Sequence, residues 1–227
     1  MRFLFFRGYG LARLYGIGTG PGDPELLTLK AVRILKEVDF IFAVNNKGKN
    51  MAVNSIREFI DEEKIVYFDF PMGKVTDLDY KNAALEIKNL LEDNKTGAFV
   101  TIGDTLFYST VINTFKYLED IDIEYIPAIP SFVACANVAG FPLAYIGENF
   151  TVYDRFPDEI RSDSNSFAVL KGIRITEENL DMLESSGFEY VFIEKATLYS
   201  QRVLTDKEDI LNSKEYISLL LARRKNG

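Results

Sequence analysis

Gly16-Ile17-Gly18-Thr19-Gly20-Pro21-Gly22-Asp23-Pro24 lies between a short apolar run, residues 14–17, and a stretch of helical spacing that Thr28 opens. Glycine lets a chain turn sharply and lets backbone come close to a ligand. A glycine-rich segment joining a strand to a helix therefore reads as a ligand-holding loop or as a purely structural turn. A dinucleotide fingerprint counted from Gly16 would need a third glycine at position 21, where Pro21 stands. It would also need an acid closing the second strand to hold a ribose, and that strand closes in Val44-Asn45-Asn46. Both departures speak against a nicotinamide dinucleotide.

Outward from this loop, residues 1–130 alternate strand and helix signals. Strands are expected at residues 14–17, 39–44, 65–70, 98–102 and 123–126. Helices are expected from Thr28, with Leu29, Val32, Leu35 and Val38 on one face, and at residues 51–60, 80–91 (with Leu85, Lys88 and Glu92 at helical spacing) and 109–118. Such alternation implies βαβ units and a mostly parallel sheet. Pro127 and Pro130 mark a junction. Beyond it, Ser131 is expected to cap a small-residue helix running to Gly140. Strand signals follow at 150–153, 167–170, 190–193 and 216–222, with one helix at 177–183, as in a second α/β domain of mixed strand direction. The expected division is an N-terminal extension at 1–12, an α/β domain at 13–127 and a second at 128–227. Asp61-Glu62-Glu63 reads as a solvated helix end.

Composition narrows the chemistry. The chain contains no histidine and one cysteine, Cys135. The first fact removes the usual general base, the commonest metal ligand and any His-containing triad. The second removes an internal disulfide framework and fits a reducing compartment, with Cys135 read as a buried core thiol. No metal site is expected. A formal net charge of −8 opposes a nucleic-acid partner, whose phosphates call for a basic face. No run approaches the roughly 18 apolar residues of a membrane span, and the four-residue apolar run near the N-terminus is too short for a secretory signal. A cytoplasmic protein with no membrane partner is expected.

Two further segments sit where a strand gives way to a helix: Ile102-Gly103-Asp104-Thr105-Leu106-Phe107-Tyr108-Ser109-Thr110 and Pro127-Ala128-Ile129-Pro130-Ser131-Phe132. Open α/β sheets bind ligands at the carboxyl ends of their strands. Three such loops together favour a shared pocket.

Three patterns carry a resemblance: GxGPGDPELLTLKA from Gly18, G-D-x-x-x-Y-S-T from Gly103, and P-x-I-x-S-F-x-A-C-A from Pro127, followed by Gly140-Phe141-Pro142-Leu143. The chain resembles the tetrapyrrole methylases from about Leu14 to its C-terminus, including Phe70-Pro71-Met72 and Ser200-Gln201-Arg202. Tyr108-Ser109-Thr110 points to the branch that methylates carbon 20 of precorrin-2 or cobalt-factor II in corrin biosynthesis. Another specificity, such as uroporphyrinogen-III methylation, and a non-catalytic S-adenosylmethionine-binding module are the alternatives. The resemblance implies two α/β domains of the tetrapyrrole methylase type with S-adenosylmethionine in the cleft between them, a tetrapyrrole substrate and a homodimer.

Carried over by position, the resemblance implies cofactor contacts from Pro21, Ile102, Gly103, Asp104, Phe107, Tyr108, Pro130, Ser131, Leu170, Lys171 and Ala196. The Asp104 carboxylate would accept from the ribose hydroxyls, or merely cap the following helix. No catalytic residue is assigned. Asp104 and Tyr108, with Glu194, are weak candidates, because an activated methyl and an electron-rich ring carbon need alignment more than a base. The polycarboxylate substrate implies a local basic rim, for which Lys47, Lys49, Lys74 and Arg155 are candidates. Two positions depart from the family pattern: Thr105, usually proline, and Ala128, usually glycine. Ala128 would be strained if that glycine has positive φ.

Overall fold

The computed structural model describes residues 12–45, 50–70 and 75–225. These form two compact units, the first ending at Ile129 and the second beginning at Pro130. The N-terminal extension lies almost wholly outside the described residues.

The first unit is built on a five-stranded sheet in the order β3-β2-β4-β1-β5. Its strands are β1 (Arg13–Gly18), β2 (Phe40–Val44), β3 (Ile65–Phe68), β4 (Thr96–Thr101) and β5 (Asp122–Ile126). All pair in parallel. Strand residues alternate between two cores. Leu14, Phe42 and Phe99 face one, with Ala83, Ala84 and Ile87 of α3 (Asp77–Leu90) and Val111 and Phe115 of α4 (Thr110–Phe115). Ile17, Ile41, Ala98 and Val100 face the other, with Ala31, Ile34 and Leu35 of α1 (Leu29–Glu37) and Val53 and Ile56 of α2 (Met51–Ile56). The alternation follows from the two-residue period of a strand, and burial on both faces explains why these strands read as nearly continuous apolar runs.

α1 starts where the chemistry says it should, but the buried faces of α1 and α3 differ from the sequence expectation. Thr28 caps α1 by accepting from the Ala31 N–H at 3.2 Å. The face that packs is Ala31, Ile34, Leu35 and Val38, whereas Leu29 is 89% exposed. Leu29 occupies the first turn, ahead of the point where α1 reaches the sheet. In α3 the buried residues are Ala83, Ala84 and Ile87, and Leu85 is exposed. Small residues let α3 lie close to the sheet, so the apolar bulk of Leu85 misdirects the reading. Thr76 and Asp79 open α3 with a capping box.

The second unit carries a mixed five-stranded sheet, β6-β7-β10-β8-β9. Its strands are β6 (Phe150–Tyr153), β7 (Ser166–Leu170), β8 (Phe188–Glu194), β9 (Arg202–Leu204) and β10 (Ser218–Arg224). Only β6 and β7 pair in parallel. The last strand thus begins at Ser218 rather than 216. One face packs under α5 (Ser131–Ala139), which contributes Cys135 and Ala136. The opposite face packs under α6 (Glu177–Ser185) and α7 (Lys207–Asn212), through Leu180, Leu183 and Ile210. Pro130, not Ser131, occupies the N-cap position of α5, and Ser131 is its first residue. Gly140, with φ 61°, ends that helix in the left-handed region. The Cys135 thiol is buried, and burial pushes its pKa up to about 12. It is an inert core group.

Arg223 and Glu148 hold the segment after α5. Arg223 is buried, donates to both carboxylate oxygens of Glu148, and stacks over the Tyr145 ring at 4.4 Å. Glu148 also accepts from the Tyr145 N–H at 2.7 Å. Those bonds hold its carboxyl below the usual carboxylate range, the backbone bond more strongly than the arginine.

Candidate functional site

In the first unit the three loops singled out from sequence meet around Gly18. A Cβ at Gly18 would stand 2.5 Å from the Gly103 carbonyl oxygen, 2.7 Å from Ala128 Cβ and 3.2 Å from Asp104 Cα. Only glycine permits that convergence. Two bonds knit the first loop to the second: the Gly20 N–H donates to the Gly103 carbonyl at 3.2 Å, and the Gly103 N–H donates to the Gly20 carbonyl at 2.7 Å. Thr19, fully buried, adds its backbone N–H and its hydroxyl to the Thr101 carbonyl. Gly20 and Gly103 take φ of 71° and 72°, which suits glycine and strains other residues. Beyond them, Asp23 caps the short turn Pro24–Leu26 through the Glu25 N–H.

Asp104 ties the second loop to the third. One carboxylate oxygen accepts from the Leu106 N–H and the other from the Ala128 N–H, each at 2.9 Å. Ser109, whose side chain makes no cap bond, occupies the N-cap position of α4, and neither Asp104 bond reaches an N–H of that helix. Each oxygen of a carboxylate can accept a second bond, so these ties leave room for a ligand hydroxyl. Ala128 does not have positive φ, and the strain expected there is absent. Thr105 is buried, and its carbonyl accepts from Ser109.

The topology parts the chain to opposite faces at these loops. β1 and β4 are neighbours, yet the chain leaves β1 for α1 in one core and leaves β4 for α4 in the other. Strand ends whose connections part to opposite faces are where open α/β sheets bind ligands. Space is open beside Gly103, where a Cβ would meet nothing within 4 Å. Ile102, Leu106 and Tyr108 are exposed along the same loop, and Tyr108 adopts φ 47°. Pro21, Ile102, Gly103, Asp104, Phe107 and Tyr108 are therefore on the two knitted loops.

In the second unit the remaining five residues fall on strand ends and a helix start. Pro130 and Ser131 open α5. Leu170 ends β7 and Lys171 follows it, and Ala196 follows β8. Leu170 and Ala196 both pack against the cluster that α5 covers. The register fixes their placement: Leu170 and Ile193 both lie opposite Leu219 of β10, so the β7 and β8 ends share one sheet edge. Lys171, Lys195 and Thr197 there have φ of 58°, 47° and 68°. Apart from Asp93 and Asn94, the described non-glycine residues with positive φ are Tyr108 and these three.

Glu194 is buried, and its two oxygens are taken by Ser213 and Arg202. Those bonds give it a structural role. Among the basic residues expected to grip a substrate, Lys47, Lys49 and Lys74 lie outside the described residues, as do Pro71 and Met72. Arg155 is an exposed side chain 3.8 Å from Asp154. Among the described residues, no three His, Cys, Asp or Glu side chains gather as a metal ion would require, and no helix is long and apolar enough to cross a membrane.

Parallel α/β architecture with three loops closing on one another at the β1 and β4 ends, joined to a mixed α/β unit, defines a two-unit α/β protein. Residues 13–211 match the family model of the tetrapyrrole (corrin/porphyrin) methylases, and the chain belongs to that family. A probable cobalt-precorrin-2 C(20)-methyltransferase of Methanocaldococcus jannaschii is 30% identical over 93% of this chain and 96% of its own. A precorrin-2 C(20)-methyltransferase of a Sinorhizobium species is 27% identical over 94% and 96%. Among solved structures, uroporphyrin-III C-methyltransferase of Thermus thermophilus in complex with S-adenosyl homocysteine has the same fold. Its TM-score is 0.67 at 20% identity, covering 92% of this chain and 96% of that one.

Proposed function

We propose that the protein is an S-adenosylmethionine-dependent C-methyltransferase that methylates carbon 20 of precorrin-2 or its cobalt form in cobalamin biosynthesis. Family membership and two full-length relatives bearing that activity in their names support the reading. The observation that carries it to this chain is the Gly18 junction, where three strand-end loops close on one another and leave open space at Gly103.

The residues fit the ligand. Gly103 presents backbone to it without side-chain obstruction, and Pro21 stands on the loop knitted to it. The Asp104 carboxylate, already oriented by two N–H donors, has acceptor capacity for ribose hydroxyls. Ile102, Phe107 and Tyr108 offer apolar surface on the same loop, and the resemblance adds Pro130, Ser131, Leu170, Lys171 and Ala196 as further cofactor-binding residues. When bound, the cofactor supplies an electrophilic sulfonium methyl. Asp104 and the Gly103 loop would hold it so that this methyl lies in line with an electron-rich ring carbon, which would take it and release its own proton to solvent. The chain's task is alignment, and alignment alone is worth several kcal/mol of barrier. No base is assigned to it: the chain has no histidine, and Glu194 is buried between Ser213 and Arg202. Arg155 and the lysines at 47, 49 and 74 serve as the basic rim that grips the substrate carboxylates. A functional division at 13–127 and 128–227, a cytoplasmic homodimer, and the absence of nucleic-acid and membrane partners complete the proposal.

Calorimetry tests the cofactor assignment. S-adenosylmethionine and S-adenosylhomocysteine should both bind, and NAD should not; NAD binding without either sulfur ligand would overturn the reading. Light scattering at micromolar concentration should give twice the chain mass, and a monomer mass would refute the dimer.

A further inference from the structure

Residues 125–147 run for 23 positions without an Asp, Glu, Lys or Arg, in a chain of which 26% is charged. The first part of that run supplies the end of β5, the junction and α5. The last part, from Gly140 to Gly147, is surface of the second unit. Pro142, Ala144, Tyr145 and Ile146 are exposed, Ile146 completely, with Phe141 and Leu143 half-buried among them. Where this loop meets the end of α5 lies a groove of about 330 Å³, lined by Ala136, Asn137, Gly140, Phe141, Pro142 and Leu143. A protruding apolar loop and a groove thus adjoin on uncharged surface. Contiguous exposed apolar surface marks a contact site, whereas single exposed residues need no explanation.

The loop is fixed from beneath. The Phe141 N–H donates to the Ala136 carbonyl at 2.9 Å, and the Ser166 hydroxyl donates to the Leu143 carbonyl. Buried Arg223 donates to the Pro142 carbonyl at 3.4 Å and to both oxygens of Glu148, with its guanidinium over the Tyr145 ring. The Glu148 N–H donates to the Tyr145 carbonyl at 3.1 Å. A surface already ordered loses little conformational freedom on binding, so more of its contact energy is kept. Arg223 and Glu148, the charges that anchor the loop, are spent on each other and leave none for an ionic partner.

We propose that this face docks a second copy of the chain across a two-fold axis, with Ile146 of each copy entering the groove beside α5 of the other. The proposal rests on the homodimer reading above and deepens it by assigning the surface. Charge decides the occupant. Each copy carries a formal charge of −8, so two copies repel where acidic surfaces meet, and an uncharged face is where they can come together. A basic partner would be drawn to the acidic remainder of the surface instead. A two-fold contact also needs a patch complementary to itself, and a loop beside a groove provides both halves.

The test is Ile146→Lys, read by sedimentation velocity over a dilution series. Lysine makes the chain less negative, so general charge repulsion cannot account for dissociation. The dimer dissociation constant should rise by about 100-fold or more, because an unpaired charge is buried twice across the axis. Ile146→Leu should dimerise as the wild type does. So should Leu29→Lys, which puts the same charge on an exposed leucine of the first unit, outside the patch. Circular dichroism checks that each variant folds, and Ala144→Lys gives the same reading should Ile146→Lys not fold. A wild-type dissociation constant in the Ile146→Lys or Ala144→Lys variant overturns the proposal, and so does equal dissociation of Leu29→Lys. Dimers retained with a lowered melting temperature would place the loop's cover within its own chain, and overturn it as well. A wild-type protein that is monomeric throughout refutes the dimer itself, which is a failure of the broader reading.

Discussion

Gly18→Ala is expected to lower stability by about 1–3 kcal/mol and turnover on the order of 100-fold. The added methyl would stand 2.5 Å from a carbonyl oxygen and 2.7 Å from a Cβ, contacts that real side chains do not make. Both obstacles belong to backbone or to an atom fixed to it, so no rotamer change relieves them. The Gly103 loop and the Ala128 segment must move apart, which strains the paired bonds between Gly20 and Gly103. Chemistry that depends on alignment feels a displacement of that size more than stability does. Denaturant melts paired with single-turnover rates measure the two effects. Wild-type stability and rate would show that the loops do not converge as described.

Asp104→Ala should weaken S-adenosylhomocysteine binding by about 30- to 1000-fold, or 2–4 kcal/mol. The carboxylate has two duties: it fixes the loop through the Leu106 and Ala128 N–H groups, and it presents lone pairs to a ribose. Asp104→Asn keeps one acceptor oxygen and should lose only part of that affinity. Calorimetry with both variants separates the duties, with thermal melts as the control for loop order. Unchanged affinity in the alanine variant would leave Asp104 as a tie between loops and nothing more.

The parallel sheet was legible because its strands are apolar runs punctuated by glycine and proline, as at 14–17 and 98–102. The direction of the second sheet was legible only as mixed. Strand β9 is three residues long, and α7 buries only Ile210, so neither offers a periodic apolar pattern. Asp206 ahead of α7, accepting from Glu208 and Asp209, was the local signal that could have found that helix. The buried faces of α1 and α3 were misread because large apolar residues, Leu29 and Leu85, drew attention away from the alanines that pack.

At the candidate site, the loops and Asp104 could be picked out from residue types, but the bonds of Asp104 could not, because Ala128 is remote in sequence. The positive φ of Thr197 left no trace, because the fold around a residue sets the sign of its φ. Gln201, noted in sequence only as part of a resemblance, acquires a reason: it holds the Thr197 N–H.

The central claim is a methyl placed on one carbon of one ring. Product made from precorrin-2, metal-free and cobalt-loaded, with S-adenosylmethionine carrying a carbon-13 methyl, should gain a single methyl whose NMR signal assigns to carbon 20. A signal at any other ring carbon, or methylation of uroporphyrinogen III in its place, would contradict the account.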